Sequence, residues 1–111
     1  MATPHVPHNV DAGLLYEEAT GTLFCSDLFT HGGDTPALTE GDILGPALEM
    51  EKLFPFNPVT PDTAPTLRRL AALKPRRLAV MHGASYAGDC AGLLEALAAH
   101  YDGLLRAGAA A

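Results

Sequence analysis

"GLLYEEATGTLFCSDLF", residues 13–29, decides the fold. Two short apolar runs, Leu14 to Tyr16 and Leu23 to Cys25, flank a turn from Glu17 to Gly21, which is the pattern of a β-hairpin with a glycine suited to positive φ. The second run does not end as a core strand would. Two residues beyond Cys25 stands Asp27, a carboxylate that is costly to bury unless something positive meets it.

Downstream of the hairpin, "THGGDTPALTEGD" (30–42) reads as a loop, rich in Gly, Thr, Asp and Pro. "GDILGPALEMEKLF" (41–54) is a helix interrupted by Gly45 and Pro46, with Leu48, Met50, Leu53 and Phe54 on its apolar faces. A proline-rich loop follows. The spacing of Leu67, Leu70, Ala71 and Leu73 then predicts a helix from about Thr63 to Leu73, capped by Asp62 or Thr63 and ended by Lys74 and Pro75.

"RRLAVMHG" (76–83) holds a continuous apolar run, Leu78 to Met81, typical of a strand covered on both faces, and it terminates on His82. Leu93, Leu94, Leu97, Ala98, Tyr101, Leu104 and Leu105 define an amphipathic helix from about Tyr86 to Arg106, with "AGAAA" as a frayed tail. The order β, β, loop, α, α, β, α predicts an α/β (α+β) fold: one mixed sheet with helices on one face, in a single domain spanning residues 1–111.

Composition narrows the function. With 111 residues, 48% of them hydrophobic, the chain can build one packed core and little more. A formal net charge of −6 argues against nucleic acid or an anionic membrane as partner, since both reward a cationic surface. Arg68, Arg69, Lys74, Arg76 and Arg77 cluster within ten positions, and the simpler reading is a solvated helix face and C-terminus, not an anion site. Cys25 and Cys90 lie in apolar contexts without metal-type spacing, so reduced core thiols are expected. "MATPHVPHNV" lacks the features of a signal peptide and no run is long enough to span a bilayer, which makes the cytoplasm the default location.

Metal-type ligands concentrate in three places: His5, His8 and Asp11 before the first strand, Asp27 after the second, and His82 after the third. Imidazole and carboxylate are the usual ligands of zinc, iron and manganese, and strand ends hold side chains more rigidly than free loops. No local ligand spacing such as HxxxH supports them.

The succession "PHVPHNVDAGLLYEEATGTLFCSDLF", a helical stretch and "RRLAVMHG" resembles the C-terminal half of the metallo-β-lactamase fold, especially its flavodiiron and hydrolase-like branches, over about Thr3 to Leu105. The resemblance implies a di-metal site in which His8 and His82 each serve one ion and Asp27 bridges the two. Asp27 is thereby also the catalytic residue, in water activation for a metal-dependent hydrolase. Zinc suits that chemistry, with iron or manganese as alternatives. Iron would accompany a flavodiiron-like oxidoreductase fragment, whose flavin module does not fit in this chain. His5 is assigned no ligand role, Asp11 is expected to orient His8, and His31 reads as an exposed loop histidine, or else one lining the mouth of the site.

The HxHxDH motif that supplies the other ligands in that family is absent from these residues. The chain is then expected to be weakly active or inactive unless complemented by the missing half, and a truncated, non-catalytic metal-binding or subunit-interaction module is the alternative. The family packs two sheets face to face, so a single half leaves a sheet face bare. At about 25 cal/mol per Å², several hundred Å² of exposed apolar face is an unmet stabilisation of order 10 kcal/mol, which a homo-oligomer or the complementing N-terminal half would supply. The substrate, a small molecule, is not legible. A competing serine-hydrolase reading places Ser85 in "HGASYAG" with His100 and Asp89 or Asp102, but the motif is incomplete and Ser85 is more simply the N-cap of the last helix.

Overall fold

The computed structural model describes residues 1–8, 12–53 and 58–110. Asp11, expected to orient His8, and Phe54 of the first expected helix lie outside the described residues. The hairpin forms as expected: β1 (Leu15–Glu17) pairs antiparallel with β2 (Thr22–Phe24), and Gly21 turns between them with φ +67°. The chain continues through β3 (Leu38–Thr39), α1 (Leu44–Leu53), α2 (Thr63–Ala72), β4 (Arg77–Ala79), β5 (Ser85–Ala87) and α3 (Cys90–Ala110). The strands make one mixed five-stranded sheet in the order β1-β2-β4-β5-β3, with β4 parallel to β2 and antiparallel to β5.

Strand alternation separates the two faces of this sheet. Register aligns Tyr16, Leu23, Leu78 and Tyr86 across four strands, and Leu23 and Leu78 are fully buried. They share one core with Leu67 and Leu70 of α2 and Leu94, Leu97 and Tyr101 of α3. The adjacent row on the other face is Leu15, Phe24 and Ala79, where Leu15 is 64% and Phe24 42% exposed. The helices therefore cover one face, and the second face carries apolar side chains in solvent.

Four local expectations need correction. The stretch 30–42 contains β3, and the last helix does not start near Tyr86: Ser85–Ala87 is a strand pairing with Arg77 and Leu78. Three-residue strands carry too little alternation to compete with the strong helical spacing that follows them. The N-cap of α3 is Asp89, whose Oδ1 accepts the Gly92 N–H at 2.9 Å, and the helix runs on through residues read as a frayed tail. Its apolar stripe nevertheless ends at Tyr101, since Leu104 is exposed.

The interrupted helix is resolved by its start. Pro46 is the third residue of α1, where no N–H is owed to a preceding turn, and Asp42 accepts the Leu44 and Gly45 N–H groups at 2.9 and 3.1 Å. Against α2, helix α3 makes the most extensive packing contact between elements. Arg68 crosses it on the wet side, reaching Glu95 at 3.2 Å and Asp102 at 2.9 Å, while Arg69 donates to the Ala2 carbonyl. Cys25 and Cys90 are free and buried, as expected. No helix among the described residues is long and apolar enough to cross a membrane.

Candidate metal centre

Parallel pairing of β2 with β4 sends both strands toward the same edge of the sheet, the edge at which α/β proteins commonly bind ligands. Phe24 is opposite Ala79, so Asp27 and His82, each three residues further on, leave the sheet side by side. Backbone hydrogen bonds continue beyond the strands: Cys25 N–H donates to Ala79 O at 3.0 Å and Met81 N–H to Ser26 O at 3.4 Å. Ser26 turns the chain with φ +51°, and Leu28 N–H closes the turn on Cys25 O at 3.0 Å. The Asp27 carbonyl accepts the Thr30 hydroxyl at 2.5 Å. The carboxylate thus projects from a braced turn.

His8 arrives from the N-terminal segment. Val6 and Pro7 are buried, the Thr3 hydroxyl donates to Val6 O at 2.6 Å, and His5 Nδ1 bonds the His8 carbonyl at 2.8 Å. His5 therefore supports the His8 backbone and holds no place opposite Asp27. Both His5 and His8 adopt positive φ, 62° and 64°, an uncommon conformation for residues other than glycine that persists only where surrounding contacts impose it.

The three residues meet. His8 Nε2 lies 2.6 Å from Asp27 Oδ2, and His82 Nε2 lies 3.1 Å from Asp27 Oδ1. Each imidazole takes its own carboxylate oxygen, and the Asp27 side chain is 24% exposed, open to solvent on one side. Each contact is a hydrogen bond when the facing Nε2 carries a proton, and strengthens when that ring is cationic.

The donor set has the chemistry of a transition-metal site, with neutral imidazole and carboxylate as ligands. Adjacent donors on a tetrahedral ion with bonds of about 2.0–2.2 Å stand roughly 3.4 Å apart. The two pairs would open by about 0.8 and 0.3 Å to reach that spacing, within the reach of side-chain rotation at partly exposed residues. Each ion would receive one imidazole nitrogen and one carboxylate oxygen. Among the described residues no group of three or more His, Cys, Asp or Glu is arranged as a ready metal cage.

His31 corrects the expectation of an exposed loop histidine. It is only 6% exposed. Nδ1 donates to Phe29 O at 2.8 Å and Nε2 accepts the Ala84 N–H at 2.9 Å, which fixes the Nδ1–H tautomer and leaves no lone pair for a metal. Its backbone N–H donates to His82 O at 2.9 Å, so the residue clamps the His82 turn to the Asp27 turn. The residues it joins are too far apart in sequence for any local pattern to reveal the clamp.

The serine-hydrolase alternative loses its parts to structural roles. Ser85 Oγ accepts the Val80 N–H at 3.1 Å inside the β4–β5 turn, Asp89 caps α3, and Asp102 is paired with Arg68. His100 packs edge-on against Tyr101. Cys25 and Cys90 are equally uninvolved: burial pushes the Cys25 thiol up to about 12, with Cys90 adding to the effect, and burial also raises Cys90. Two shallow surface cavities, one of about 420 Å³ beside Met50 and Leu53 and one of about 460 Å³ beside Pro65 and Arg69, lie away from His8, Asp27 and His82.

Comparisons with family models, with characterised proteins and with solved structures find no match to this chain.

Proposed function

We propose that the chain is a metal-binding half of a metal-dependent hydrolase of the metallo-β-lactamase type, in which His8, Asp27 and His82 hold divalent metal. The observation that carries this reading is the contact of two imidazoles from distant parts of the chain with separate oxygens of one carboxylate, at 2.6 and 3.1 Å. That arrangement suits a carboxylate spanning two ions, each with its own histidine. Zinc is the ion best matched to hydrolysis, and when bound it lowers the pKa of a coordinated water so that hydroxide is available near neutral pH. Asp27 would hold the two ions between which that water is activated, and the Asp that positions the water in that family is missing with the HxHxDH motif. A cytoplasmic location goes with this reading, as does a small-molecule substrate.

One nitrogen and one oxygen per ion fall short of the three or four protein ligands that hold catalytic zinc. Taken alone, the chain binds metal weakly and turns over little substrate, and full activity requires ligands from a complementing segment. The open coordination favours, as a second reading, a module that binds metal without catalysis.

Calorimetric titration with Zn²⁺ and with Co²⁺, in wild type and in His8→Ala, Asp27→Ala and His82→Ala, tests the site. Binding should weaken at least about tenfold in each variant. Equal and negligible uptake by all four proteins contradicts the reading.

A further inference from the structure

We propose that the exposed sheet face is a two-fold docking surface for a second copy of this chain. Over β1, β2 and β4 its register defines two rows, the second of which continues onto Ala87 of β5. The first is Leu15, Phe24 and Ala79; the second is Glu17, Thr22 and Arg77, both rows running β1, β2, β4. Leu15 and Phe24 project 64% and 42% exposed, and Glu17 and Arg77 are exposed beside them. Glu17 and Arg77 stand two strands apart, about 9–10 Å between Cα atoms. No ion pair joins them, and neither has another ion-pair partner, among the described residues.

A row with an acid and a base at equal distances on either side of β2 is self-complementary under one operation. Let a two-fold axis lie in the plane of the contact, parallel to β2. Each β1 then faces the other copy's β4, and β2 faces β2. Glu17 meets Arg77 twice, Leu15 covers Ala79 twice, and Phe24 meets its own copy at the axis. The strands of the two sheets stay nearly aligned, which is the common packing of face-to-face sheets. Such an isologous contact closes on itself and stops at two copies. An aromatic pair at its centre with charged pairs at its margin is the anatomy of a protein interface.

Charge order selects this occupant over an unrelated partner. A chain of net charge −6 attracts basic surfaces in general, but a uniformly basic surface would set a cation against Arg77. The mirrored acid–base order is the pattern that fits, and the chain itself presents it. Three short strands offer less than the roughly 800 Å² per partner of a stable complex, so monomer and dimer should exchange with a dissociation constant between about 1 µM and 1 mM.

Sedimentation equilibrium from about 1 µM to 1 mM, with the metal-site residues intact and no metal added, tests the surface independently of the metal reading. Wild type should shift from monomer to dimer across that range. Glu17→Lys alone and Arg77→Glu alone should each weaken association at least about tenfold, because each sets like charges opposite one another. An equimolar mixture of the E17K and R77E chains should recover wild-type association, since every facing pair is again opposite in sign, and the recovery shows that both variants are folded. Phe24→Asp should be monomeric with an unchanged circular dichroism spectrum. Wild type that remains monomeric to 1 mM, or a mixture that associates no better than its components, overturns the proposal.

Discussion

Gly83 lies flat against the imidazole of His31, so close that a methyl group on its Cα would fall 2.6 Å from both ring nitrogens. The ring cannot retreat, because both nitrogens are already bonded, to Phe29 O and to Ala84 N–H. Gly83 also holds φ +123°, open to glycine and strained for any other residue. Gly83→Ala should therefore destabilise the fold by about 2–4 kcal/mol, read as a lower urea midpoint at unchanged slope.

His31 itself should be replaceable only by a side chain that both donates and accepts. His31→Leu strands a buried carbonyl and a buried N–H, at about 1–3 kcal/mol each, while His31→Gln should recover part of the loss. Nitrogen chemical shifts of the imidazole should report the Nδ1–H tautomer. Finding the Nε2–H form would contradict the clamp.

The two faces of the sheet should respond unequally to truncation. Leu78→Ala removes a fully buried side chain and should cost about 2–5 kcal/mol. Leu15→Ala, compared with wild type below about 1 µM protein, should change stability by less than about 0.5 kcal/mol. Chemical denaturation of the two variants in parallel checks the contrast.

Both thiols should be inert in the native state and should make the protein sensitive to alkali. Burial holds Cys25 and Cys90 above their ordinary value, so they keep their protons in the fold at pH values where the unfolded chain has lost them. The Cys25 contribution is fully present below about pH 9 and is lost as pH rises toward about 12, with a slope of up to about 1.4 kcal/mol per pH unit, and Cys90 acts in the same direction. Urea midpoints at pH 7, 9 and 10.5 should fall in wild type and fall less in Cys25→Ala and Cys90→Ala. Ellman's reagent should label neither cysteine until the protein is unfolded.

The hairpin, α2 and the strand before His82 were legible because each lies in a longer apolar or periodic run, but that strand is Arg77–Ala79 and is covered on one face only, with Met81 63% exposed beyond it. Strands β3 and β5 were not, since two or three residues set in glycine-rich or helix-like surroundings gain their identity only from a partner strand distant in sequence. For the site, strand ends pointed to Asp27 and His82, and the convergence of His8 depended on the path of the N-terminal segment. The burial of His31 left no trace, because its partners at Phe29 and Ala84 come together only after the sheet has formed.

One carboxylate and two imidazoles are proposed to share metal. Imidazole nitrogen spectra recorded during a Zn²⁺ titration test it most directly, because they report each histidine separately. The Nε2 signals of His8 and His82 should shift toward metal-bound values together, His31 should stay still, and Asp27→Ala should abolish the response. Unmoved His8 and His82 signals at millimolar zinc, or a response that survives loss of Asp27, would contradict it.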